Sequence, residues 1–231
     1  MSRTAELVSW AASLTALVAT GSGTLALAKN APEAPKDASA ITIRVSDYAH
    51  MKRRALLVAE EVATGILAQA GVDARWVDCP TSNADWGNYP DCQSVWQVND
   101  YGLRVIPNAM VDASGKWQHA LGVAYDNDGL FAYLANVFYD RVDSLAQGGS
   151  ATVPVIVGRA MAHEIGHLLL GPHSHSNKGI MRPFWSGQDL RPVVSPSLLF
   201  TQDQSRQMKT RLAARVQAWQ AQAKVANLGR P

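Results

Sequence analysis

The sequence predicts an α/β fold: a twisted, mixed, mostly parallel sheet with a strand–helix–strand start, one apolar helix late in the chain and a closing C-terminal helix. Three observations point there. Residues 41–78 carry a strand pattern, a helix pattern and a second strand pattern, and parallel neighbours need a crossover of that kind. Three further β-patterned runs follow, at 101–106, 120–125 and 134–139. Residues 154–170 then repeat apolar side chains at helical spacing.

Taken in order, residues 41–45 are β-branched and apolar at alternate positions, which is a strand pattern. Residues 50–70 place Ala, Leu, Val, Ile and Glu at helical spacing and stop before Gly71, a fitting C-cap. Residues 74–78 read as the second strand. Residues 80–98 are rich in Asn, Asp, Ser, Gly and Trp and read as a long loop. Cys79 and Cys92 would pin that loop as a disulfide in an exported chain, contributing about 3 kcal/mol; otherwise they are two buried thiols. Without C-x-x-C spacing they do not read as zinc ligands. After the third and fourth strands, 126–129 is a turn. Leu134 to Tyr139 reads as the fifth strand, with Asp140 and Arg141 beyond it as a local ion pair at the sheet end. Residues 147–150 are a flexible join. The helix over 154–170 has Pro near its first turn and Gly171 past its last. An irregular stretch runs to about Ser195, and 202–225 is the closing helix. There is no internal repeat.

The 231 residues suit one domain with tails. Hydrophobic residues at 47% and charged residues at 17% give a globular composition, which excludes a disordered chain. A net charge of +2 with scattered basic residues argues against a nucleic-acid partner. At the N-terminus Arg3 precedes an apolar run over 7–18, and Ala26-Leu27-Ala28 is a small-x-small pattern before Lys29. That order is a secretory signal peptide cleaved after Ala28; an uncleaved anchor or an amphipathic helix is the alternative. The run is short against the ~20 apolar residues that span a bilayer, and no other segment reads as long and apolar enough. The expected organisation is a signal peptide over 1–28, an Ala- and Pro-rich linker over 29–40, a catalytic domain over 41–225 and a tail over 226–231. The mature product is expected to be secreted or periplasmic, monomeric and free of the membrane.

Residues 163–167 are His-Glu-Ile-Gly-His. On a helix, positions i and i+4 stand on one face, so His163 and His167 can reach one Zn²⁺ together. Glu164 lies about 100° further round, where it flanks the metal and can take a proton from water as the general base. With six histidines in the chain a chance match is rare, and the surrounding helical pattern lowers the odds further. The bland alternative is a buried helix whose histidines bond to backbone groups.

Downstream come Gly171, His173-Ser174-His175-Ser176 and Gly179-Ile180-Met181. This resembles the metzincin family of zinc metalloproteases, whose pattern is H-E-x-x-H-x-x-G-x-x-H with a later methionine turn. It is also similar to bacterial exported proteins resembling matrix metalloproteases. The resemblance spans roughly residues 41–220 and is sharpest at 163–181. It implies a zincin-type sheet, a third histidine ligand, a methionine turn beneath the metal, and a peptide substrate laid along an edge strand, here 120–125. The glycine falls one residue late, and Leu170 stands at the family position. The third ligand is then His175 or His173, with His175 preferred because it keeps the His-Ser pair ahead of Gly-x-Met. The implied activity is zinc-dependent hydrolysis of peptide bonds in a peptide or protein substrate. The rivals are an exported zinc-binding module without proteolytic activity and a zinc hydrolase of non-peptide amides. His50 and His119 read as ordinary, although His119 is placed to face a cleft beside the fourth strand. Trp185 reads equally as pocket wall or plain packing. Tyr133 and Tyr139 are weak oxyanion candidates.

Overall fold

Alternating burial defines the first strand, β1 (Ala40–Asp47): Ile41, Ile43 and Val45 are buried in one cluster while Thr42 and Ser46 remain half-exposed. The computed structural model describes residues 38–112, 114, 116–125, 133–171, 173–191 and 198–228. The expected signal peptide, most of the expected linker, the turn at 126–129 and the chain's last three residues lie outside them. After β1 the order is α1 (Arg53–Gln69), β2 (Asp73–Cys79), the one-turn helix α2 (Pro90–Gln93), β3 (Asp100–Ile106), β4 (Gly122–Tyr125), β5 (Leu134–Phe138), α3 (Tyr139–Ala146), α4 (Val153–Leu170) and α5 (Gln202–Leu228). Short 3₁₀ turns occupy Asn83–Asn88 and Asn108–Met110.

The five strands form one sheet in the order β2-β1-β3-β5-β4. The first four pair in parallel, and β4 runs antiparallel to β5 at the edge. The mixed, mostly parallel α/β sheet is therefore present, and its edge strand is Gly122–Tyr125, which starts two residues later than the expected 120–125 strand. Ile43, Val45, Leu103, Val105, Ala135 and Val137 face one core with α1 and α4. The two helices cross closely because Gly158 has no side chain: a Cβ there would lie 2.4 Å from the Ala59 carbonyl oxygen. By length and composition α4 could cross a membrane, contrary to the sequence reading, but 72% of it is buried inside the protein and it is the core helix.

On the other face of the sheet, Arg44 and Asp100 form a buried ion pair at 2.7 Å. The same guanidinium donates to the Cys92 and Ser94 carbonyls, each at 2.9 Å. Together with a Cys79–Cys92 disulfide, this ties the long loop onto β1.

Two sequence expectations change here. The fifth strand stops at Phe138, and the chain enters α3 directly, so Tyr139 is helical. Asp140 and Arg141 do not pair. Asp140 accepts the Asn108 backbone N–H at 2.5 Å, and Arg141 donates to the carbonyls of Trp117 and Ala120 while its guanidinium stacks on Phe138 at 4.6 Å. The two side chains face different parts of the preceding loop, and each finds a backbone partner there.

Candidate metal centre

The site begins on α4, where His163 and Glu164 are buried and His167 is half-buried. The helix continues through Leu170 and breaks at Gly171, whose φ of +86° belongs to the region that glycine enters without strain. A Cβ there would also lie 2.8 Å from Arg211 Nη2 on α5. His173 follows at φ +57°, unusual for a residue with a side chain. This reversal sends the chain back across the face of α4. The late glycine is thus followed by a return segment that brings His175 to the two helix histidines.

His167 Nε2 lies 3.1 Å from His163 Nε2 and 3.2 Å from His175 Nε2. His163, His167 and His175 form a group whose nitrogens all lie within 4.8 Å of one another; His173 is outside it, with an exposed side chain at the cleft wall. Tetrahedral zinc at ~2.0–2.1 Å from each nitrogen would separate its ligands by about 3.3–3.4 Å; the donor set suits that ion, and the two spacings from His167 lie close to that value.

The outer nitrogens support the same orientation. His163 Nδ1 lies 2.8 Å from the Ile180 carbonyl oxygen, which can only accept. Nδ1 therefore carries the hydrogen, and Nε2 presents its lone pair to the shared point. Trp185 Nε1 donates to that carbonyl too, at 3.2 Å, and its ring meets His163 edge-on with centroids 5.5 Å apart. Trp185 is both cleft wall and support, a dual role the sequence could not reveal. His167 Nδ1 lies 2.8 Å from Ser174 Oγ.

Burial lowers His163 to about 4, with the neighbouring His175 adding to the effect and the Ile180 hydrogen bond opposing it. Burial and two neighbouring imidazoles lower His167 to about 3. Burial lowers His175 as well. All three are neutral near pH 7, the form that binds a metal.

Beneath them, Met181 is fully buried. Gly166 makes room for it: a Cβ on Gly166 would stand 2.6 Å from Met181 Sδ and 2.8 Å from the Phe200 ring. The fourth residue of His-Glu-Ile-Gly-His is thus dictated by the methionine turn, which sequence distance conceals.

Glu164 is pressed against β4. A Cβ on Gly122 would come 2.7 Å from Glu164 Oε1 and 2.6 Å from the Asn136 carbonyl oxygen. Burial raises the Glu164 carboxyl to about 8. Glu164 and the histidines open into a cleft of about 680 Å³, walled by the 120–124 segment, Leu145, Ala160, Phe184 and Trp185. That volume suits a side chain or small ligand. His119 and Arg141 also line it, whereas Tyr133, Tyr139 and His50 do not. Tyr133 instead packs edge-on against Trp96, with centroids 5.8 Å apart.

No protein-family model matches the chain, and no curated protein matches it. Among solved structures, it is similar to the crystal structure of archaemetzincin from Methanopyrus kandleri. The two share 14% identity and a TM-score of 0.44 over 78% of this chain and 98% of that chain.

Proposed function

We propose that the protein is a zinc-dependent hydrolase of peptide bonds, with His163, His167 and His175 as the metal ligands and Glu164 as the general base. The observation that carries this reading is the convergence of three imidazole nitrogens beside a cleft-facing carboxylate. Three protein ligands leave room for substrate or water, the pattern of a catalytic zinc site; a structural site closes with four. When bound, zinc would polarise a carbonyl and lower the pKa of a coordinated water to about 7.

With zinc bound, the positive charge would favour the ionised form of Glu164 against its burial, and its carboxylate would take the proton of the attacking water and deliver it to the departing nitrogen. Its contact with Gly122 holds that carboxylate at the junction of α4 and β4. β4 is an edge strand, so its unpaired backbone groups can pair with an extended peptide as an added strand. Phe184 and Trp185 line the same cleft and offer apolar surface to a substrate side chain. The expected compartment is secreted or periplasmic, and the Cys79–Cys92 disulfide supports an oxidising one.

The test is zinc content and cleavage of a mixed peptide library by the purified chain lacking residues 1–28. The expected result is one zinc per chain, cleavage abolished by chelation and restored by zinc, loss of the metal in His175→Ala and retention in His173→Ala. Zinc binding without cleavage of any peptide would point to a binding module. Cleavage of small amides alone would point to a different hydrolase.

A further inference from the structure

His163 and His167 are held from behind in different ways. The outer nitrogen of His163 meets a backbone carbonyl at Ile180, in the turn leading to the buried Met181. The outer nitrogen of His167 meets a side-chain hydroxyl, Ser174 Oγ, at 2.8 Å. Ser174 sits immediately before His175, whose Nε2 is 3.2 Å from the inner nitrogen of the same ring. The return segment thus approaches His167 at both nitrogens, bonding the outer one and setting the third imidazole beside the inner one.

The segment is fastened at its two ends. Gly171 N–H donates to the His167 carbonyl at 2.9 Å, and Ser176 N–H donates to the Met181 carbonyl at 2.9 Å. Ser176 Oγ also accepts from Gln204 Nε2 on α5 at 3.1 Å. Between these ties the backbone passes through the left-handed region at His173, a conformation that needs surrounding contacts to hold it. The Ser174 hydroxyl supplies such a contact, and it makes it to a metal-site histidine.

We infer that Ser174 is a positioning residue for the metal centre: by accepting the Nδ1 hydrogen of His167, it turns the Nε2 lone pair toward His163 and His175 and keeps the third ligand's segment in place. The inference rests on the zinc-site reading above. A ligand histidine whose outer N–H lacks its partner can rotate about its side-chain bonds, and such losses typically weaken metal binding ~10–100-fold. Here the effect reaches two ligands, because the residue that orients His167 is bonded directly to His175.

The experiment measures zinc affinity by chelator competition for the parent chain, Ser174→Ala and Ser174→Thr, and records the visible spectrum of each with cobalt(II) in place of zinc. Thermal unfolding in excess chelator serves as the folding control. Ser174→Ala should bind zinc ~10–100-fold more weakly and give an altered cobalt spectrum, with its unfolding temperature in chelator equal to the parent's. Ser174→Thr, which keeps the hydroxyl, should regain most of the affinity and the parent spectrum. Equal zinc affinity in the parent and Ser174→Ala would overturn the inference, and so would an equal loss in the Ala and Thr variants. Absence of zinc binding by the parent would instead overturn the underlying metal-site reading.

Discussion

At the scale of the residue, the candidate metal centre rests on a position with no side chain, Gly166, and a buried carboxyl elsewhere, Glu60, sets a pH dependence of stability. Gly166 faces Met181 and Phe200 at distances no Cβ tolerates. Gly166→Ala should therefore cost about 1–3 kcal/mol through overpacking, read as a lower denaturation midpoint; unchanged stability would mean that the methionine turn is looser than described. Glu60, on α1, is buried and faces Asp78, which also pairs with Arg53. Burial first, and the Asp78 carboxylate second, raise its carboxyl from 4.5 to about 8, against the pull of Arg53. A raised folded-state pKa means that the native chain holds the proton longer than the unfolded one. Its stability contribution is full below about 4.5 and is lost as pH rises through about 8. Glu60→Gln should therefore gain thermal stability relative to the parent between pH 5 and pH 9. A pH-independent difference in unfolding temperature would show that Glu60 titrates normally.

At the scale of the element, the contact between β4 and α4 holds Glu164, the proposed base. Gly122 lies against the Glu164 carboxylate and the β5 carbonyl at Asn136, so a methyl at 122 must displace one of them. The carboxylate, as a side-chain tip, moves more readily than the sheet. Gly122→Ala should retain zinc and lose on the order of 100-fold in kcat, the usual consequence of an ångström-scale misplacement. Loss of metal together with activity would place the damage in the ligands instead. The sequence displayed α4 clearly, because His163 and His167 share one helical face and Gly171 marks the stop. It displayed β1 through its alternation. It concealed the start of α3, since Val137, Phe138 and Tyr139 form an apolar and aromatic run in which Phe138 and Tyr139 look alike, although the strand ends between them. It also concealed the short helices after β2, whose Asn, Asp, Gly and Pro composition is that of a loop. Ser174 and Trp185 were hidden for a different reason: their partners, His167 and the Ile180 carbonyl, are defined only by the return path of the chain.

At the scale of the whole molecule, one face of the sheet carries α1 and α4 and the other carries the 80–99 loop, secured by Arg44 and the disulfide. The bridge joins residues separated by 13 positions, and closing such a loop contributes about 3 kcal/mol in the chain-entropy description. The Cys79→Ala/Cys92→Ala double variant should lose roughly that much stability in denaturant while keeping its metal. Neither Arg44 nor the disulfide touches a metal-site residue, so a marked fall in zinc affinity would reveal coupling through α5, whose Arg215 bonds the Val98 carbonyl at the end of the loop.

The division of labour between ligands and base is tested most directly by peptide cleavage in Glu164→Gln at full zinc loading. The variant should bind zinc like the parent and lose ~10²–10⁴-fold in kcat, the range for removing a positioned acid–base group. Cleavage at the parent's rate by the zinc-loaded variant would mean that Glu164 is not the base.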